Sequence, residues 1–283
     1  MSNLVYLNGQ FVPYEQASLP IEDRSFLFAD GVYEVVRVYG GRPFLMTEHN
    51  QRLARSAAAI KLPPIDMAEI ERACLHLVAA NGIEDGTIYL QISRGSYTPR
   101  NHAFPAEVKP FVLAMARPYK VNEQNWVTGV SAHMVPDQRW ARCDIKSVAL
   151  LPNILAKQAA AEKGAYEAVL VKDGYAIEGS SSNFMAVLDG EIRTFPKSHL
   201  ILGGITRDYI LALARELGYT VREEGVLVED LPRCTEAWVS STTAELMPVV
   251  RIDEIQIGDG KPGPVGQAIL QTMKARIAAF INQ

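Results

Sequence analysis

The order of strand and helix signals predicts an α+β fold in two domains, on three observations. Hairpin-type dipeptides (Asn8-Gly9, Asp173-Gly174, Asp189-Gly190) sit between short runs rich in β-branched and aromatic residues. These hairpins and β-rich runs outnumber strand–helix–strand units, which argues against a doubly wound parallel sheet. Residues 117–125 (RPYKVNEQN) are polar, contain a proline and read as a linker. The expected domains are therefore 1–120, the smaller, and 121–283, the larger.

Val5-Tyr6-Leu7 and Phe11-Val12 flank the first turn as a hairpin. A second strand is expected over residues 32–39, ending at Gly40-Gly41 and resuming at Pro43-Phe44-Leu45. Leu53, Ala57 and Ile60 then fall on one helical face, with Thr47 as the expected N-cap. Asp66 with Glu69 resembles a capping box and opens a helix through Ile70, Cys74, Leu77 and Val78, closed by Gly82. Strands follow at 87–93 and 110–116. In the second half, a strand at 127–135 precedes the stretch holding Lys146, and a helix runs from about 153 to 163. Residues 166–171, 184–188, 192–195 and 236–241 read as strands, and 206–217 and 265–281 as helices.

Composition narrows the function. The chain has 283 residues, 48% of them hydrophobic and 21% charged, enough to bury a substantial core. A net charge of −4 argues against nucleic acid as a partner, since such binders carry a basic surface. Charges interrupt every apolar run, so no membrane span is expected. The opening MSNLVYLNGQF lacks the pattern of a secretory signal, and a cytoplasmic protein is expected. Cys74, Cys143 and Cys234 lie far apart with no CxxC spacing, which predicts neither a disulfide framework nor a metal site.

Five segments carry candidate chemistry, and each also has a plain structural reading. Lys146, in Arg142-Cys143-Asp144-Ile145-Lys146-Ser147, stands next to apolar residues. Desolvation favours a neutral amine, as a Schiff-base lysine requires, although a surface lysine at a strand end fits the same letters. Glu178-Gly179-Ser180-Ser181-Ser182-Asn183 is a small-residue loop with one carboxylate, suited to a pyridine nitrogen or simply to a polar turn. Leu202-Gly203-Gly204-Ile205-Thr206 opens a helix and offers N–H groups to an anion, or is an ordinary helix start with Thr206 as N-cap. Ser240-Ser241-Thr242-Thr243 ends a strand with hydroxyls that suit a phosphate or a turn. Arg100 and His102, in a loop after a strand, suit carboxylate capture or a solvated basic loop.

Taken together, EDRSFLFADGVYEVVRVY, RCDIKSVALL, AKQAAAEKGAYEAVLV, EGSSSN, GGITRD and SSTTAELMPV resemble the fold-type IV pyridoxal-phosphate enzymes. These are the class IV aminotransferases, and the resemblance is strongest to their D-amino-acid branch. It spans nearly the whole chain and implies a two-domain α+β homodimer with pyridoxal 5′-phosphate held at the domain interface. By that resemblance Lys146 bonds the cofactor and shuttles the proton, and Glu178 faces the pyridine nitrogen. Arg52, in EHNQRLARS, resembles the phosphate-binding arginine, joined by Ile205, Thr206 and Thr242. Ser180, Ser181 and Ser182 would line the cofactor edge, and Leu202 would pack on its ring. Tyr33, Arg100 and His102 resemble the trap for the substrate carboxylate, the last two reaching over from the partner subunit.

The implied activity is ping-pong transfer of an amino group from a D-amino acid such as D-alanine to a 2-oxo acid, 2-oxoglutarate or pyruvate. Branched-chain L-amino-acid transaminases, (R)-amine transaminases and aminodeoxychorismate lyases share the letters around Lys146 and Glu178. The Arg100-x-His102 pair with Tyr33 favours the D-amino-acid branch. A pyridoxal-phosphate carrier or regulatory binding protein would need the phosphate cup but not that trap.

Overall fold

The fold was analysed in a computed structural model that describes residues 3–282. The chain divides into two units. One runs through Lys120 and regains Ile145–Ala149; the other comprises Val121–Asp144 and everything from Leu150 onward. The single expected break near residue 120 is thereby amended, because five residues around Lys146 return to the first unit. Val32 and Ser147 form a β-bridge, the Tyr33 N–H donates to Lys146 O at 2.9 Å, and the Val148 N–H donates to Gly31 O at 3.1 Å.

In the first unit β1 (Leu4–Leu7) and β2 (Gln10–Pro13) form the expected hairpin, with Asn8 and Gly9 both at positive φ. Next come α1 (Arg24–Phe28), β3 (Gly31–Tyr39), β4 (Arg42–Pro43), α2 (Met46–Ala59), α3 (Met67–Ala80), β5 (Asp85–Ser93) and β6 (Phe111–Pro118). The strands make one antiparallel sheet in the order β2-β1-β6-β5-β3-β4. Val32, Val36 and Val38 alternate inward from β3 and join Leu53, Ala57, Leu77, Ile88, Leu90 and Ile92 in the core. Asp66 caps α3 as expected, accepting from the N–H groups of Ala68 and Glu69.

The second unit contains α4 (Gln124–Thr128), β7 (Val130–Pro136), α5 (Leu151–Glu162), β8 (Glu167–Lys172), β9 (Tyr175–Gly179), β10 (Asn183–Leu188) and β11 (Glu191–Thr194). It continues with α6 (Ile205–Glu216), β12 (Val221–Arg222), β13 (Val226–Leu227), β14 (Glu236–Ser241), β15 (Glu245–Ile252), β16 (Ile255–Gln256) and α7 (Pro264–Ile281). The strand order is β12-β11-β10-β14-β15-β7-β8-β9-β13, with β16 on β15. The sheet is mixed: β7 runs parallel to both β15 and β8, while β8–β9, β10–β11 and β14–β15 are antiparallel.

Several local expectations are corrected. Thr47 is not an N-cap: α2 begins at Met46, preceded by Leu45 at a φ of 55°, because the β3–β4 hairpin feeds the chain straight into the helix. The 117–125 linker is shorter, since pairing of Pro118 with Gly86 carries β6 to its end. The expected strand at 127–135 begins only at Val130. Before it, α4 closes on Gly129 at a φ of +71°, where a Cβ would lie 2.3 Å from Val250 Cγ1. Thr206 lies inside α6, whose N-cap is Gly204. Strand β15 was not expected, and β9, the second arm implied by the Asp173-Gly174 turn, runs on to Gly179 and places Glu178 on a strand rather than in a loop.

Candidate functional site

In the first unit the half-buried Lys146 side chain comes from the short segment that regains the sheet edge at β3. Its backbone N–H donates to Ser56 Oγ at 3.2 Å. Its Nζ lies 4.3 Å from the centroid of the Tyr33 ring and takes no carboxylate partner among the described residues. Tyr33 in turn stacks on Tyr89, ring centroids 5.8 Å apart. The amine therefore has a fixed backbone, an aromatic face beside it and an uncommitted nitrogen.

Glu34 follows Tyr33 on β3 and points to the opposite side of the sheet, sharing the inward parity of Val32 and Val36. Arg52, from α2, grips it bidentately: Nε to Oε1 at 2.7 Å and Nη2 to Oε2 at 2.8 Å. His49, one helical turn earlier, lies with Nδ1 2.7 Å from Oε2. Burial alone pushes Glu34 upward, but Arg52 and His49, with a smaller share from the Lys146 charge, outweigh it and hold the carboxyl at about 2. Burial also lowers His49, partly offset by Glu34, so the imidazole is neutral and donates from Nδ1. Arg52, expected on a phosphate, thus sits in a buried ion pair that sequence reading did not anticipate.

Arg100 and His102 are exposed and lie about one aromatic ring. Arg100 Cζ is 4.3 Å from the Phe28 centroid, and the His102 ring is 5.1 Å from it. Within the chain, neither makes a hydrogen bond or ring contact with Tyr33.

The second unit gathers the remaining candidates. Glu178, fully buried on β9, receives three donors. Asn183 Nδ2 and the Leu202 N–H each reach Oε1 at 2.9 Å, and Arg139 Nη1 donates to Oε2. Burial pushes this carboxyl up to about 7 although Arg139 pulls the other way. Arg139 is raised by its bonds to Asp137 and Glu178, which outweigh its own burial, and it is charged. Asn183 also donates to Leu202 O at 2.9 Å, so one amide ties together β9, β10 and the Leu202 turn. Gly204 is required here: a Cβ on it would lie 1.9 Å from Asn183 Oδ1.

The serine run is spoken for internally. Ser180, Ser181 and Ser182 all direct Oγ to Glu167 on β8, Ser181 at 3.2 Å and Ser182 at 3.0 Å. What the loop can offer a ligand is its backbone. Ile205 and Thr206 occupy the first turn of α6, which has no side-chain cap, and Thr242 lies in the β14–β15 turn. The Thr206 and Thr242 hydroxyls take no partner among the described residues, and the buried Ser240 Oγ likewise has none.

Glu34, His49, Arg139 and Glu167 were not singled out from the sequence, and Asn183 appeared only as the last letter of the EGSSSN segment, without a role. Glu34 had a signal, a charge on the apolar parity of a strand. His49 and Arg52 share it through their spacing of three on a helix. Arg139 had none, since its partner lies 39 residues away.

Comparison with known proteins bears on this geometry. The family described as amino-transferase class IV matches residues 31–252. A D-alanine aminotransferase of Staphylococcus haemolyticus is 43% identical over 263 residues, 92% of this chain and 93% of that protein. The D-alanine aminotransferase of Bacillus licheniformis is 41% identical over 274 residues, 96% of each. Among solved structures, the branched-chain amino acid aminotransferase from Escherichia coli superposes with a TM-score of 0.90 at 29% identity, covering 97% of this chain and 94% of that one. The branched-chain aminotransferase from the thermophilic archaeon Thermoproteus uzoniensis, with norvaline, gives 0.86 at 28% identity, covering 98% and 95%.

Proposed function

The chain belongs to the class IV aminotransferases, and we propose that within them it is a D-amino-acid transaminase. It moves the amino group of a D-amino acid such as D-alanine to 2-oxoglutarate or pyruvate, with pyridoxal 5′-phosphate as cofactor. The observation that carries this reading is the Lys146 amine, fixed through its backbone beside Tyr33 and without an acidic partner. The relatives named D-alanine aminotransferase direct it to D-amino acids.

The residues fit that cofactor. Lys146 offers an amine outside any ion pair, Glu178 is a buried carboxyl raised to about 7, the buried Ser240 Oγ has no partner, and the first turn of α6 has no side-chain cap. Bound pyridoxal phosphate supplies an aldehyde for the amine and a protonated ring that withdraws electron density from Cα. Glu178 would face the ring nitrogen of the bound cofactor, with Arg139, Asn183 and the Leu202 N–H holding its carboxyl group in place. Thr206, Thr242 and the Ile205 N–H would bind the phosphate, the α6 dipole favouring its charge, and Arg52 would add positive charge while its Nε and Nη2 stay on Glu34. Ser180 to Ser182 would border the cofactor through their backbone, and Leu202 would pack against its ring. Lys146 would hold the aldehyde of the bound cofactor and, as the free amine while the substrate occupies that aldehyde, would serve as the general base for the substrate's Cα proton.

Tyr33, Arg100 and His102 hold the substrate carboxylate. Because Lys146 serves one face only, where that carboxylate is held decides which enantiomer presents its Cα–H. Within one chain Arg100 and His102 do not meet Tyr33, which supports a homodimer in which the partner subunit supplies them. Exposed apolar side chains fit such an interface, among them Ile21 and Phe26 at 76% and 77% exposure and Leu151 and Ile154 on α5. Three free, buried thiols suit the reducing cytoplasm, and no helix among the described residues is long and apolar enough to cross a membrane.

Visible absorbance of the purified protein with pyridoxal phosphate, mixed in turn with D-alanine and L-alanine, tests the reading. The expected result is a yellow band that bleaches with D-alanine and not with L-alanine. Bleaching by L-amino acids alone would move the chain to the branched-chain enzymes, and the absence of any band would overturn the cofactor assignment.

A further inference from the structure

The loop that carries Arg100 and His102 has no helix or strand to hold it between β5 and β6. It is instead gripped from outside by the guanidinium of Arg24, a buried residue at the start of α1. Arg24 Nη1 donates to Asn101 O at 2.6 Å and, more distantly, to Ala103 O at 3.4 Å; Nη2 donates to His102 O at 3.2 Å. Three consecutive carbonyls next to Arg100 thus converge on one side chain.

Arg24 is itself held. Its Nε donates to Asp30 Oδ2 at 2.7 Å, and the same carboxylate receives the fully buried Arg94, Nε at 2.8 Å and Nη2 at 3.0 Å. Burial works against the charged Asp30, but the two arginines outweigh it and lower its carboxyl. Arg94 is anchored further by Ile60 O at 2.6 Å and lies over the Phe104 ring, 3.6 Å from its centroid, at the far end of the same loop. Phe28, on the last turn of α1, stands 4.8 Å from Arg24 Cζ and meets both Arg100 and His102. One helix thereby fixes the loop's main chain through Arg24 and its two functional side chains through Phe28.

We infer that Arg24 is a positioning residue for substrate recognition, latching the 100–103 backbone so that Arg100 and His102 meet the carboxylate of an amino acid. This rests on the reading of those two residues as the carboxylate clamp. Arg24 touches neither substrate nor cofactor in this role and acts only through the loop. Arg24→Met is the informative change, because it keeps the apolar stem while Asp30 retains Arg94 as its counter-ion.

The test uses the cofactor-loaded enzyme and three readouts. The R24M variant is expected to raise KM for D-alanine about ten-fold, with a smaller change in kcat and unchanged affinity for pyridoxal phosphate. Trypsin should cut faster after Arg100, a measurement independent of activity. In an R100A background R24M should add little further, since it acts through the loop carrying that residue. R24K should recover part of the loss, and it is the variant to be read if R24M does not fold. Unchanged KM and unchanged tryptic cleavage would overturn the inference, as would R24M adding its full factor in the R100A background. A wild-type enzyme that turns over no D-alanine would overturn the clamp reading itself, and this inference with it.

Discussion

Glu34→Gln probes the buried Glu34–His49–Arg52 cluster, and its effect can be worked from the structure. The Glu34 carboxyl moves from an ordinary value of 4.5 to about 2 on folding. A carboxyl depressed in the folded state stabilises it at pH above its unfolded value and loses that contribution as pH falls through its folded value. The displacement corresponds to about 3 kcal/mol, of which about 2 kcal/mol is lost between pH 5.5 and pH 3. His49 is also depressed, so its contribution falls in the same direction, from the ordinary histidine value of 6.5 down through its folded value, and the comparison with E34Q reads the cluster as a unit. Urea unfolding at pH 5.5 and pH 3, read by amide exchange in peptides from 31–59, isolates the first unit. Wild type should lose about 2 kcal/mol more than E34Q across that interval. At pH 7 the variant should be less stable by about 3–5 kcal/mol, because Arg52 keeps a buried charge without its partner. Equal pH dependence in the two proteins would refute the reasoning, for it would mean that Glu34 gains nothing from Arg52 and His49 on folding.

The other expectations concern the proposed chemistry. Lys146→Ala should lose turnover by many orders of magnitude, and borohydride should fix no cofactor at that position; normal activity would end the assignment. Arg100→Ala should raise KM for D-amino acids roughly ten- to a hundred-fold, with cofactor binding little disturbed; unchanged kinetics would remove Arg100 from the clamp. Gly204→Ala should push Asn183 off Glu178, since the new Cβ meets Asn183 Oδ1 at 1.9 Å. The carboxyl, already at about 7, should rise further and lower cofactor affinity; a variant with wild-type affinity would show that Asn183 does not support Glu178.

Legibility followed the range of the interactions. Hairpins written in adjacent residues, such as Asn8-Gly9 and Asp189-Gly190, and caps closed within three residues, such as Asp66, stood in the sequence as they stand in the fold. What failed was decided by distant groups. Thr206 has the letters of an N-cap, yet Gly204 takes the position beside the Asn183 amide. Residues 127–129 have strand-forming letters, yet Trp126 donates from Nε1 to Ala244 O, a partner 118 residues away, and the segment coils into α4. The candidate list had the same bias. Arg52 and the serine run were singled out as ligand contacts, whereas Glu34 and Glu167, which occupy their side chains, went unnoticed.

Lys146 illustrates why connectivity matters more here than sequence neighbourhood. The residues on either side, Val121–Asp144 and Leu150 onward, belong to the second unit, and only Ile145–Ala149 belongs to the first. A lysine on a flexible connection would lose much of the advantage of a fixed base, since effective concentration depends on holding the reacting groups in one geometry. The chain avoids this by pinning the short return at three points. The N–H bonds donated by Tyr33 and Val148 together make the Val32–Ser147 bridge, and Ser56 Oγ accepts from the lysine's own N–H. Two of the three involve residues 31–33, the start of β3, and β3 also presents Tyr33 to the amine and Glu34 to the buried arginine. The placement of the proposed reactive nitrogen is therefore a property of β3, and the strand's hydrophobic partners Leu53, Ile88 and Leu90 are what keep it in register. If Lys146 has the proposed role, changes in that core should act on turnover before they unfold the protein.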